Sequence, residues 1–197
     1  MTIMTDFPKG RVAFLVTSNI HKFNEARRVL NKYKIATAML KKIGAVEIQD
    51  DNIDNVAKAS AVDAVKKCNL PIMVEDAGLF IKALKGFPGP YSSHVYRTIG
   101  NDGILQLMEN ITNRNASFKS VVAFLSPTMD KPLCFSGEAK GKIVKEKHGS
   151  GGFGFDPIFK PLNSSKTFAE MTVEEKNQNS HRALAFYKFA EWYTASF

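Results

Sequence analysis

The chain has 197 residues, 27 Lys and Arg against 19 Asp and Glu, a net charge of +8 at neutral pH and 44% hydrophobic residues. These are ordinary globular values for a single domain able to bury a substantial core. No apolar run approaches the roughly 18 residues of a membrane helix, and Cys68 and Cys134 lack CxxC spacing, so a membrane span, a zinc centre and a disulfide framework find no support.

Residues 1–10 read as a flexible extension of a single 1–197 domain, because they carry neither an apolar h-region nor a small-residue cleavage site. A soluble, cytoplasmic protein is the expectation. Val12 to Val16 is an apolar run that predicts a strand, and Phe23, Ala26, Val29, Leu30 and Tyr33 then recur at helical spacing. A short second strand is expected near Val46 to Ile48. Ala57, Ala61, Ala64, Val65 and Cys68 share one helical face, capped by Asp54 or Asn55. Pro71 to Val74 predicts a buried strand with Glu75 and Asp76 at its carboxyl end, followed by a helix starting near Leu79. Gly103 to Asn110 reads as a short amphipathic helix. Ala116 to Leu125 and Leu133 to Val144 form a hairpin around SPTMDKP. Thr172 and Glu175 have capping-box spacing ahead of a terminal helix whose apolar face is Ala183, Phe186, Ala190 and Tyr193. Strand and helix alternating in this order predict an α/β fold with at least some parallel pairing.

Adjacent carboxylates at the end of a buried strand are costly unless something positive neutralises them. Mg²⁺ suits Glu75 and Asp76, since it takes one or two carboxylates and fills its other positions with water and phosphate. An acidic helix cap is the plainer alternative.

Thr17, Ser18, Asn19, Ile20, His21 and Lys22 lie where a strand turns into a helix N-terminus, a place whose free N–H groups and dipole favour phosphate. Asn19 as a simple N-cap would explain the same string. In GSGGFGFDP, Phe153 and Phe155 flank Gly154, so an aromatic face could stack on a base while Asp156 bonds it. A hairpin turn with buried aromatics is the alternative. Lys176, His181 and Arg182 supply donors for a carbonyl oxygen, or simply the wet face of the last helix. The positive net charge suits a polyanion, whether nucleic acid, membrane surface or nucleotide. Together the three constellations describe a nucleoside triphosphate site better than a nucleic-acid surface, so no stable nucleic-acid complex and no membrane association are expected.

At TSNIHKFNE, VEDAGLFIKALKGFPGPYS, GGFGFDPIF and TFAEMTVEEKNQNSHR the chain resembles the inosine triphosphate pyrophosphatase family, nearly throughout from Arg11. The resemblance implies an elongated two-lobed fold with a long central mixed sheet flanked by helices, a nucleotide cleft between the lobes and a homodimer. It implies Mg²⁺-dependent hydrolysis of ITP, dITP and XTP to the monophosphate and pyrophosphate. By matching position, Thr17 to Lys22 and Lys176 would hold phosphates, Glu47 and Asp76 the metal, and Asp76 would accept the proton of water. Phe153 would stack on the purine, Asp156 would contact the nucleoside, and His181 and Arg182 would read the 6-keto group. Ala77, where many members carry Ser, would line the site through its backbone. Many members also have Tyr or Trp in place of Phe155.

Overall fold

The computed structural model describes residues 12–41, 43, 44, 46 and 48–196. The proposed extension 1–10 and Glu47 lie outside them. The strands are β1 (Val12–Val16), β2 (Ala36–Leu40), β3 (Ile72–Ile81), β4 (Pro88–Gly89), β5 (Asn115–Leu125), β6 (Leu133–Ile143) and β7 (Phe159–Pro161). The helices are α1 (Ile20–Lys32), α2 (Ile53–Cys68), α3 (Ser92–Thr98), α4 (Gly100–Leu107), α5 (Val173–Asn179) and α6 (His181–Ser196).

One mixed sheet runs in the order β2-β1-β3-β5-β6-β7, with β4 paired beside β3. Its β1–β2 and β1–β3 pairs are parallel, and the rest are antiparallel. Strand alternation sorts the core. Ala13, Leu15, Met73, Val122 and Phe124 face α1 and α6. Ile72, Val74, Val121, Ala123 and Leu125 face α2 on the other side. Beyond them, Leu79, Ile81, Ala116, Phe118, Ala139 and Ile143 continue the first face and pack on Val95, Ile104 and Met108 of the α3–α4 segment. The sheet therefore has α1 beside its parallel strands, α2 across β3 and β5, α6 across β5 and β6, and α3 and α4 behind the far ends of the long antiparallel strands. No described helix is long and apolar enough to cross a membrane.

The first strand, the long hairpin, the Asn19 N-cap and the Thr172–Glu175 capping box follow the sequence reading. Four local expectations are corrected. The second strand is Ala36–Leu40, because parallel register with β1 is met there. The backbone at Val46 instead engages α2, its N–H donating to Asp63 and its carbonyl accepting from Ser60. The cap of α2 is Asn52, whose side chain accepts from the Asp54 N–H. The strand beginning at Ile72 does not stop at Glu75; β5 pairs with it residue by residue to Ile81, and only a 3₁₀ turn, Lys82–Leu84, follows. The amphipathic helix starts earlier, at Gly100, and is preceded by α3.

Candidate active site

Glu75 and Asp76 sit mid-strand, so the pleat sends them to opposite faces of the sheet. Glu75 faces α6 and is 1% exposed at its side chain. It accepts from Ser120 Oγ at 2.6 Å and Arg182 Nε at 3.0 Å, and pairs with Lys22 Nζ at 3.0 Å. Burial alone would raise its carboxyl, but Arg182, Lys22 and the Ser120 hydroxyl prevail and hold it at about 2. Asp76, on the other face, borders the main cavity and accepts from the Ala77 N–H at 3.0 Å.

Around Glu75 the charges alternate in a continuous buried chain. Asp156 Oδ2 meets Lys176 Nζ at 2.6 Å, the same ammonium meets Glu25 Oε1 at 2.8 Å, and Glu25 Oε2 accepts from Arg182 Nη1 at 2.6 Å. Arg182 then leads through Glu75 to Lys22. Burial opposes ionisation of Glu25, yet Arg182 and Lys176 keep its carboxyl below the usual range. Asp156 lies at the end of the chain, where burial pushes its carboxyl up and Lys176 offsets this only in part. Such a network is favourable only with close geometry throughout, since each ion has given up water. The chain joins β3, α1, α5, α6 and the 152–156 loop.

The loop at Thr17 is internally bonded. Asn19 Oδ1 accepts from the His21 and Lys22 N–H groups at 2.9 and 3.2 Å, and Thr17 Oγ1 accepts from the Asn19 N–H. The expectation of free N–H groups here is therefore corrected at His21 and Lys22, which the cap already satisfies. The Lys22 ammonium donates to the Glu75 carbonyl at 3.2 Å, tying α1 to β3.

In the glycine loop, Asp156 Oδ2 also accepts from the Phe153 N–H at 2.9 Å. Gly152 has φ +68, and a Cβ there would overlap Asp156 Oδ2, so the turn requires glycine. The Phe153 ring stacks on His21 with centroids 5.3 Å apart, and Arg182 Cζ and Lys176 Nζ lie 5.2 and 5.0 Å from its centroid. Phe155 is a core residue, 3% exposed and edge-on to Tyr96, so the buried-aromatic alternative describes it. His181 stacks flat on Phe118 at 4.6 Å and is 2% exposed. Burial, then the charges of Arg182, Lys176 and Lys22, push its imidazole well below the ordinary value. It is neutral, and its Nδ1 has no hydrogen-bond partner among the described residues.

A cavity of about 1210 Å³ gathers Thr17, Ser18, Asn19, Lys22, Asp76, Ala77, Phe153, Gly154, Phe155, Asp156, His181 and Arg182. Ile20, His21 and Lys176 are expected site residues that do not line it. Lys176 is 3% exposed and its ammonium is engaged by Glu25 and Asp156, so the expected reach to phosphate gives way to a structural contact. Arg182 likewise spends Nε and Nη1 on Glu75 and Glu25.

Sequence reasoning missed Glu25, Ser120 and the far wall of the cavity, Tyr91, His94, Tyr96 and Arg97. Glu25 had a signal: it falls beside Ala26 and one turn before Val29, on the buried face of α1. An acid on an apolar stripe demands a buried cation. The α3 wall had none, being too short for a periodicity.

This mixed sheet, with a large polar cavity where its parallel and antiparallel halves meet and a buried ionic chain beneath, defines an α/β protein with a cleft suited to a phosphorylated ligand. Residues 13–192 match the model of the Ham1 family, and the chain belongs to that family. It is 49% identical over 179 residues to the dITP/XTP pyrophosphatase of Pyrococcus horikoshii, covering 91% of this chain and 95% of that protein. It is 46% identical over 177 residues to the dITP/XTP pyrophosphatase of Methanopyrus kandleri, covering 90% and 93%. Among solved structures, a HAM1 protein from Coxiella burnetii superposes with a TM-score of 0.82 at 29% identity, covering 94% of this chain and 99% of that one.

Proposed function

We propose that the protein hydrolyses non-standard purine nucleoside triphosphates, dITP, XTP and ITP, to the monophosphate and pyrophosphate, removing deaminated purines from the nucleotide pool. The observation that carries this reading is the 49% identity to a dITP/XTP pyrophosphatase across 91% of the chain. The cavity supports it, with a carboxylate, a lysine at a helix N-terminus and a buried arginine and histidine in its lining.

Mg²⁺ fits the donors at hand. Asp76 offers a hard carboxylate at the cavity, while Glu75 beside it already pairs with Arg182, Lys22 and Ser120. One or two carboxylates plus substrate phosphate is the set Mg²⁺ accepts, with Asp76 and Glu47 as its protein ligands in this reading. When bound, the ion would neutralise charge on the phosphate oxygens. Asp76 accepts the proton of the attacking water at the α-phosphate, and Lys22 and the Thr17–Asn19 loop bind the phosphate chain. Phe153 provides the stacking face for the base, and Asp156 fixes the loop that carries it.

Selectivity rests on Arg182, which can only donate hydrogen bonds. A 6-oxopurine presents an acceptor to it, while adenine presents an amino donor and leaves a buried charged donor unpaired, at a cost of about 1 to 3 kcal/mol or more. The protein acts in the cytoplasm, where such nucleotides arise, and as a homodimer that covers the exposed side chains of Phe87, Tyr91, Tyr96, Ile99 and Leu107. Chromatography of products from ITP, XTP, GTP, ATP and a modified pyrimidine triphosphate tests the reading. Monophosphate and pyrophosphate from ITP and XTP, with ATP spared, is expected. Preferred turnover of the pyrimidine would assign the cleft to another nucleotide class.

A further inference from the structure

A second cavity, about 520 Å³, opens at the open end of the β5–β6 hairpin, away from its turn, and includes Arg114, Asn115, Lys142, Lys145 and Lys160 in its lining. It lies away from the cleft: β5 places Val121 opposite Asp76 and Asn115 opposite Lys142, about 20 Å further along at roughly 3.4 Å per residue. In register, Lys142 is directly opposite Lys160 on β7. Like charges so placed repel and destabilise a sheet unless a counter-charge sits between them. Among the described residues no acid forms an ion pair with Lys142, Lys145 or Lys160. Arg114 adds a further cation held without an acid, its guanidinium donating to the carbonyls of Met108, Ile143 and Val144 at 2.8, 2.6 and 2.6 Å. Those bonds fix its charge beside the lysines and neutralise none of it.

We propose that this pocket is a second anion site for a small multiphosphate, of the inorganic pyrophosphate or triphosphate class, free or borne by a nucleotide. Several clustered ammonium groups match an anion with several charges better than a single phosphate. The lining contains no aromatic side chain on which a base could stack, so the recognised chemistry is phosphate and not nucleobase, and an extended single strand is disfavoured. The site also accounts for part of the +8 charge that the catalytic reading leaves unused.

Titration calorimetry of the full chain with inorganic triphosphate, at fixed ionic strength and without divalent metal, tests this. The unaltered protein should bind at two classes of site. Lys142→Ala/Lys160→Ala should weaken one of them about tenfold or more, from the loss of two ammonium groups at close range, while turnover in the cleft persists. A control, Lys66→Ala/Lys131→Ala, removes equal charge near the opposite end of the sheet and should keep both. Thermal melting gives an independent readout: without anion the Lys142/Lys160 variant should melt no lower than the parent, and triphosphate should raise its Tm less. ATP and inorganic triphosphate should compete equally at this site. Equal weakening in both double variants, or no change in the Lys142/Lys160 variant, would overturn the site. Binding of ATP without binding of inorganic triphosphate would show that a nucleoside is read and would overturn the assignment to phosphate. Failure of catalysis alone would leave the proposed anion site intact, because its readouts are stoichiometry and Tm.

Discussion

Arg182 Nε donates to Glu75 Oε1 at 3.0 Å, joining the first turn of α6 to the middle of β3 with both side chains almost wholly buried. The contact explains how two adjacent carboxylates coexist in one strand: Glu75 is neutralised on the α6 face by Arg182, Lys22 and Ser120, and Asp76 points to the opposite face, both bordering the same cavity.

Arg182→Ala should destabilise the fold by about 3 kcal/mol, because Glu25 and Glu75 would each keep only a lysine as ionic partner. Denaturant titration measures the loss. Among molecules that remain folded, the ratio of ITP to ATP turnover should fall, and Arg182→Lys should restore more of the stability than of the ratio, since an ammonium lacks the fork that spans both acids.

Acidification should weaken the fold in two stages. The pKa of His181 lies well below the ordinary imidazole value of 6.5, so an unfolded chain binds a proton there that the native state refuses. Stability contributed by His181 is present above pH 6.5 and declines as pH falls below it, by up to about 1.4 kcal/mol per pH unit. Glu75, depressed from 4.5 to about 2, adds stability that is present above pH 4.5 and is lost as pH falls toward 2. Glu25 acts in the same direction, and Asp156, raised by burial, opposes it. His181→Phe keeps a ring against Phe118 and should flatten the slope between pH 5 and 6.5 in urea unfolding.

Gly152→Ala should impair turnover without touching Asp76. The added Cβ strains a residue at φ +68 and displaces the Asp156 carboxylate from Lys176 and the Phe153 N–H. A stability loss of about 1 to 3 kcal/mol is expected, with a rise in KM for the nucleotide. An unchanged KM would separate the loop from base binding.

Asn19→Ala removes the acceptor shared by the His21 and Lys22 N–H groups and should cost about 1 kcal/mol in thermal unfolding. The freed N–H groups no longer orient the Lys22 turn, so KM should rise more than kcat falls.

Much of this architecture is written in short-range signals. The apolar run Val12–Val16, the Asn19 cap, the SPTMDKP turn and the Thr172–Glu175 box each fix an element through its own residues. Most of the proposed site residues do converge on the cavity. What sequence hid is tertiary. The apolar run Pro71–Val74 put the end of this strand at Glu75, yet Arg182, Lys22 and Ser120, distant in sequence, make Glu75 tolerable inside β3. The same ionic chain withdraws Lys176 from the cleft and brings in Glu25. Val46 and Ile48 looked strand-like by composition, but the Val46 backbone bonds α2 side chains, while Ala36–Leu40 pairs β1.

In the proposed mechanism Asp76 drives pyrophosphate release from ITP, dITP and XTP. The most direct measurement is single-turnover product analysis with ITP and Mg²⁺ for the parent and Asp76→Asn, each confirmed folded by circular dichroism. Inosine monophosphate and pyrophosphate from the parent, with turnover in Asp76→Asn lower by at least about 100-fold, is the predicted result. Orthophosphate as the product, or full turnover by Asp76→Asn, would contradict it.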